Sequence, residues 1–119
     1  MKHFIMMVIA ALGVTFAGQA QQKPNKNAKV DVEVKGNCDM CKKRIEKAAF
    51  GVKGVKSAEY HIDDQTLHLI IDENKTSPKD VQEAIAKVGH DTKYNEVSVR
   101  ATDEDYAKLH TCCVYDRES

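Results

Sequence analysis

The feature that most constrains this chain is a change of hydrophobic period at Gly36-Asn37. Before it, Val30, Val32 and Val34 alternate with Lys29, Asp31, Glu33 and Lys35, the pattern of a strand with one buried face. After it, Cys41, Ile45, Ala48, Ala49 and Val52 recur at helical spacing and form an apolar stripe that Gly51 and Gly54 close. A second strand puts Ala58, Tyr60 and Ile62 on one face, with Glu59 and His61 on the other. Beyond Asp63-Asp64 a third strand turns Leu67, Leu69 and Ile71 inward.

The next helix carries start and stop signals of its own. Ser77 is placed to cap it, Pro78 suits its first turn, and Asp80 suits the positive end of the helix dipole. Val81, Ala84, Ile85 and Val88 form its stripe, and Gly89 stands where a left-handed residue ends a helix. A shorter strand is expected between Thr92 and Val99, and a short helix at Thr102 with Asp103, Glu104 and Asp105 in its first turn. The order β-α-β-β-α-β over residues 29–99 predicts an α+β domain: one four-stranded antiparallel sheet with two helices on one face.

Matching the inward faces of the second and third strands places Ile62 opposite Leu67 and Tyr60 opposite Leu69. His61 then stands opposite His68 on the face away from the helices, at a Cβ separation of ~4.5–5.5 Å. Two imidazoles at that spacing either share a weakly held ion or stay an ordinary hydrated pair.

The flanks read differently. Residues 1–20, MKHFIMMVIAALGVTFAGQA, run from a basic start through an apolar stretch to small residues, the pattern of a secretory signal peptide. An uncleaved anchor is the alternative, although the apolar stretch falls short of the ~20 residues a spanning helix needs. Residues 21–28 are polar, proline-bearing and aperiodic, a disordered leader. A periplasmic or secreted location follows, with membrane contact only through the signal segment if it is uncleaved. Lys and Arg together number 18 and so do Asp and Glu, both signs are interspersed, and Trp is absent; nothing here suggests a nucleic-acid surface.

Export changes how cysteines are read, because the compartment can oxidise them. A disulfide framework spreads cysteines along a small chain. Here Cys38, Cys41, Cys112 and Cys113 fall into two tight clusters, which favours a metal or redox site. Cys38 and Cys41 form a Cys-x-x-Cys at a strand-to-helix junction. Two intervening residues let both sulfurs reach one ion, and amide N–H groups at the helix start favour the thiolate forms. Thiolates select Cu(I), Zn(II) and other soft ions. Zinc ribbons require a second Cys-x-x-Cys or a His pair, and neither occurs. A thioredoxin-like site is expected to carry an aromatic residue before the first cysteine, where this chain has Asn37. Two ordinary cysteines at a helix start, paired or buried, are the plain alternative.

The stretch VKGNCDMCKKRIEKAAFGVKGVKSAEYHIDDQTLHLIID, followed by SPKDVQEAIAKVGHDT, resembles the heavy-metal-associated domain. That family includes copper chaperones, the N-terminal domains of copper-transporting ATPases and a periplasmic mercury-binding protein. The resemblance runs from about Ala28 to Val99 and rests on the Cys-x-x-Cys, the Gly51–Val55 loop and the Ala-Ile and Gly ending of the second helix. It implies a ferredoxin-like fold and one soft ion held by Cys38 and Cys41. Two departures stand out. Gly36-Asn37 replaces the Met-Thr usual before the first cysteine, whose Met packs under the loop, and Met40 lies between the cysteines as a soft third contact or a plain filler.

By the same resemblance the loop holding His90 lies beside the metal loop, so His90 is an auxiliary ligand, a group that tunes the thiolates, or a solvated loop histidine. Lys42, Lys43 and Arg44 steady an anionic complex, greet an acidic partner, or form a solvated helix face. His110, Cys112 and Cys113 have no counterpart in the minimal domain. In the Cys-containing tail, residues 100–119, they form either an extra ligand set or a vicinal or tail-to-core disulfide. The tail is expected to double back to the Cys-x-x-Cys end, with Tyr106 and Leu109 as apolar anchors. The function expected is capture, buffering or transfer of a soft ion without catalysis, Cu(I) foremost and Zn(II) or Hg(II) next, with a metal transporter or metallochaperone as partner. The alternatives are a periplasmic thiol-disulfide redox protein using the same cysteines and a module whose cysteines only staple the tail.

Overall fold

The computed structural model describes residues 23–117; the signal segment read over residues 1–20 lies outside them. Strand β1 (Ala28–Val34) buries every second residue, as its alternation dictates. Helix α1 spans Asp39–Phe50, β2 Val55–His61, β3 Thr66–Ile71, α2 Pro78–Lys87, β4 Thr92–Tyr94, β5 Val97–Val99 and α3 Asp103–Ala107, before a single 3-10 turn at Thr111–Cys113. The sheet order is β2-β3-β1-β4-β5. Antiparallel β1 and β3 form its centre, from Ala28 opposite Ile71 to Glu33 opposite Thr66. Val30, Val32, Leu67, Leu69 and Tyr60 meet Ile45 and Ala49 of α1 and Val81 and Ile85 of α2 in one core. Each such side chain, fully buried, is worth about 1.5–3 kcal/mol in transfer from water. Before β1, Asn25 is tied to Glu73 through both its N–H and its carbonyl.

The α2 signals act as expected. Ser77 Oγ accepts from Asp80 N–H, Pro78 opens the helix, and Gly89 takes a φ of +102°. Its buried face is wider than the stripe, because Gln82 and Ala86 are also buried. The cause is a departure from four strands. The segment expected as one strand from Thr92 to Val99 folds into a hairpin, with Asn95 at its turn in the left-handed region, φ +52°. Asn tolerates that conformation. The added β5 lies beside α2, and Gln82 Nε2 donates to Val97 O at 3.0 Å.

The β2–β3 register differs from expectation. Tyr60 opposes Leu67, Ala58 opposes Leu69, and His61 faces Thr66 rather than His68. Ile62 belongs to the turn, where Gln65 N–H bonds its carbonyl, Gln65 adopts φ +54°, and Asp64 accepts from Thr66 N–H. This pairing moves one strand two residues past the other, so it keeps the same faces inward, which is why periodicity alone did not separate the two registers. His61 and His68 still meet diagonally, ring centroids 4.6 Å apart, and each turns to a carboxylate: Glu59 at 3.2 Å and Asp31 at 2.7 Å.

Candidate metal centre

Cys38 is the residue at which the chain leaves extended backbone for α1, and Cys41 lies in the first turn on the buried face. Their sulfurs are 3.5 Å apart. Helical geometry fixes this: two intervening residues bring both side chains to the same end of the helix. Burial pushes the Cys38 thiol up, but the Cys112 thiol and the N–H groups of Cys41 and Met40 outweigh it and bring the thiol below its ordinary value. The Cys112 thiol is pushed up, chiefly by its contact with Cys38 and also by burial. The two shifts run in opposite directions, so Cys38 is the more acidic thiol of the pair.

The tail does return. Cys41 and Cys113 are joined as a disulfide, and both are fully buried. Cys38 Sγ lies 2.6 Å from Cys112 Sγ and 3.5 Å from Cys113 Sγ. Met40, largely exposed, places its thioether 3.6 Å from Cys112 Sγ. All four cysteine sulfurs thus converge on one end of the sheet.

The loop under them is stiffened by residues other than a methionine. Gly36 leaves room that Tyr60 fills; a Cβ there would meet Tyr60 Oη at 3.0 Å and Cys41 Cβ at 3.2 Å. Tyr60 Oη donates to Val34 O at 2.6 Å, and Gln65 Nε2 donates to Gly36 O at 2.9 Å. Asn37 Nδ2 donates to Val114 O, so the second departure from the family pattern holds the tail.

The histidines are placed elsewhere. The ligand atoms of Cys38, Cys41 and Cys113 lie within 4.8 Å of one another, and none of Cys112, His90 and His110 joins that group. His90 is not a solvated loop residue either: it is fully buried, Nδ1 donates to Lys35 O at 2.7 Å, and its ring stacks on Tyr115. Burial first, then the Arg44 charge, push its pKa down, so it is neutral near pH 7, and its buried Nε2 has no hydrogen-bond partner among the described residues. His110 is exposed and contributes its carbonyl, which accepts from Cys113 N–H. Lys42 is not simply solvated. Its Nζ donates to Tyr60 O at 2.7 Å while Glu46 accepts from Tyr60 N–H, so the pair covers the outer edge of β2.

The tail is held by residues that sequence reasoning did not single out. Tyr115 Oη donates to Gly89 O and accepts from Asp91 N–H, both at 2.8 Å. Arg117 grips the Asp91 carboxylate with two donors at 3.0 Å, bonds Asp103 and Ala101 O, and lies over the Tyr106 ring. Asp91 also accepts from Ala101 N–H. Of the two expected anchors, Leu109 packs against Gly89 and Tyr106 against Tyr115.

Comparison with known proteins agrees with the sequence from β1 to the end of α2. A model of the heavy-metal-associated domain matches residues 31–91. The copper chaperone CopZ of Staphylococcus haemolyticus (strain JCSC1435) is 36% identical over 63 residues, 52% of this chain and 93% of that protein. The N-terminal domain of a potential copper-translocating P-type ATPase from Bacillus subtilis, in the Cu(I)-loaded state, superposes with a TM-score of 0.55 at 27% identity, over 59% of this chain and 89% of that one. Oxidized MerP from Ralstonia metallidurans CH34 has the same fold, with a TM-score of 0.56 at 24% identity over 59% of this chain and 99% of that one. The family match ends before Cys112 and Cys113.

Proposed function

The chain belongs to the heavy-metal-associated domain family, and from that premise we propose that it is an exported carrier of a soft metal ion, Cu(I) foremost, held between the thiolates of Cys38 and Cys41. The observation that carries this reading is the convergence of those two sulfurs at the start of α1, 3.5 Å apart, with Cys38 favoured as thiolate. A thiolate pair selects soft ions. Copper stands before Zn(II) and Hg(II) because relatives of this sequence are named as a copper chaperone and a potential copper-translocating ATPase. The same names support a metal transporter or a second metallochaperone as the partner that receives the ion. Capture, buffering and transfer proceed by exchange of thiolate ligands, so the chain acts as carrier rather than catalyst. Residues 1–20 support placement in the periplasm or outside the cell.

Binding needs the reduced protein, since a sulfur engaged in a disulfide offers no thiolate. Anaerobic titration of the reduced chain with Cu(I) is expected to give one tightly held ion per chain. Replacing Cys38 and Cys41 together by Ser should abolish it, and unchanged stoichiometry in that variant would overturn the proposal. One observation favours a second reading. Cys38, whose thiol lies below its ordinary value, stands 3.5 Å from both sulfurs of the Cys41–Cys113 bond. There its thiolate can attack one sulfur and release the other as thiolate, the exchange step of a thiol-disulfide protein. Catalytic turnover of a disulfide substrate with a dithiol reductant would favour that reading. Protection of both thiols by stoichiometric Cu(I), without turnover, favours carriage.

A further inference from the structure

Building on the reading that Cys38 and Cys41 hold the ion, we infer that Cys112 and Cys113 are ligands to the same ion, so that the docked tail turns an open two-thiolate site into a closed four-sulfur one suited to a tetrahedral soft cation such as Zn(II). Four sulfurs around one ion with ~2.3 Å bonds form a tetrahedron whose edges are roughly 3.8 Å. Three separations already lie near that value: Cys38–Cys41 at 3.5 Å, Cys38–Cys113 at 3.5 Å and Cys112–Cys113 at 3.9 Å. The two short ones, Cys38–Cys112 at 2.6 Å and the bonded Cys41–Cys113, share no atom and are therefore opposite edges. The sixth edge, Cys41–Cys112, is the long one: Cys38, Cys41 and Cys113 already lie within 4.8 Å of one another, and Cys112 stands beside Cys38 and Cys113 at the rim of that group. A dithiol reductant, itself oxidised to a disulfide, converts the Cys41–Cys113 bond to two thiols, and rotation of the side chains then opens the short edges and brings Cys112 toward Cys41.

The tail is held by more than its sulfurs. Asn37 holds Val114, Tyr115 Oη is bonded to Gly89 and Asp91, and Arg117 is clamped on Asp91. Reduction therefore leaves Cys112 and Cys113 beside the Cys-x-x-Cys. Burial is graded across the four: Cys41 and Cys113 are sealed, Cys38 is partly covered, and Cys112 is exposed beside the Met40 thioether. Cys112 is accordingly the ligand that an acceptor's thiolate reaches first. Arg44, one turn of α1 beyond Cys41, has a buried Nη1 with no hydrogen-bond partner among the described residues, a donor left over for the negative charge of a thiolate complex.

X-ray absorption of the reduced, Zn(II)-loaded full chain tests this without any substitution. Four sulfurs per zinc are expected; two sulfurs completed by nitrogen or oxygen would overturn the inference. In the Cys112→Ser/Cys113→Ser variant the count should fall to two. Zn(II) affinity should drop by more than about 100-fold, because losing even an outer partner of a ligand costs 10–100-fold. Cu(I) should still bind at one ion per chain through Cys38 and Cys41. Equal Zn(II) affinity in variant and native chain would count against tail ligation. A native chain that takes up neither ion would overturn the two-cysteine reading as well, whereas Cu(I) uptake with a two-sulfur zinc site would overturn this inference alone.

Discussion

Between Ala28 and Lys87 the protein is held by aliphatic side chains: Val30, Val32, Leu67, Leu69, Ile45 and Ile85 interdigitate between sheet and helices. Beyond Val99, besides the Cys41–Cys113 bond and the packing of Leu109, it is held by a handful of polar atoms: the Asp91 carboxylate, the Arg117 guanidinium and the Tyr115 hydroxyl. The first kind of cohesion is spread over many contacts, none indispensable to the arrangement of the others. The second passes through a few charge-assisted bonds that fix direction as well as distance. A carrier that must open and close its site has reason to keep the two apart. The sheet can stay folded while the tail, with Cys112 and Cys113, lets go.

The largest effect should come from the first region. Ile45 is fully buried on α1, one turn after Cys41. Ile45→Ala should cost ~2–5 kcal/mol, measured by urea unfolding. Sheet and tail should be lost in one transition, since the cavity undermines the helix that carries Cys41. A cost below about 1 kcal/mol would mean that the core relaxes freely around the site, against the close packing described.

Arg117→Met separates the regions. It keeps bulk over the Tyr106 ring but removes both bonds to Asp91, and hydrogen bonds to charged groups are worth ~1.5–3 kcal/mol. Cys112 and Cys113 in the reduced variant should react with an alkylating reagent markedly faster than in the native chain. Hydrogen exchange at the β1 and β3 amides should stay unchanged. If strand protection fell in step with tail protection, the two regions would be one cooperative unit and the comparison would fail.

The same contrast explains what was legible in the sequence. β1, α1 and α2 announce themselves because burial imposes a period on neighbouring residues, and the Ser77 and Gly89 end signals sit beside the elements they bound. The β2–β3 register was misjudged because two registers satisfy the same period, and only the turn at Asp64-Gln65 decides between them. Gln82 was missed because its burial is created by β5, fifteen residues away, and not by its own helix. Asp91, Tyr115 and Arg117 left no pattern at all: a polar bond across the fold needs one donor and one acceptor, at no particular spacing. The convergence of Cys112 and Cys113 on Cys38 was expected from their chemistry alone. The available signal for how they are held was Asn37, which replaces a family residue and binds Val114.

The smallest effect joins the two regions. His90 ends the loop after α2 and lies against Tyr115, with Lys35 O on its Nδ1 and Arg44 and Asp91 acting on its charge. Burial is the main reason its folded pKa lies below the ordinary value of about 6.5. Above pH 6.5 the ring is neutral whether the chain is folded or not, and it contributes nothing to pH dependence. As pH falls below that value the unfolded chain takes up a proton that the folded chain resists, so stability declines until the folded pKa is also passed. The unfolding midpoint should therefore drop between pH 7.5 and pH 5.5, and less steeply in His90→Gln. Equal slopes would show that His90 is wetted in solution, and with it the Tyr115 contact through which the tail meets the sheet.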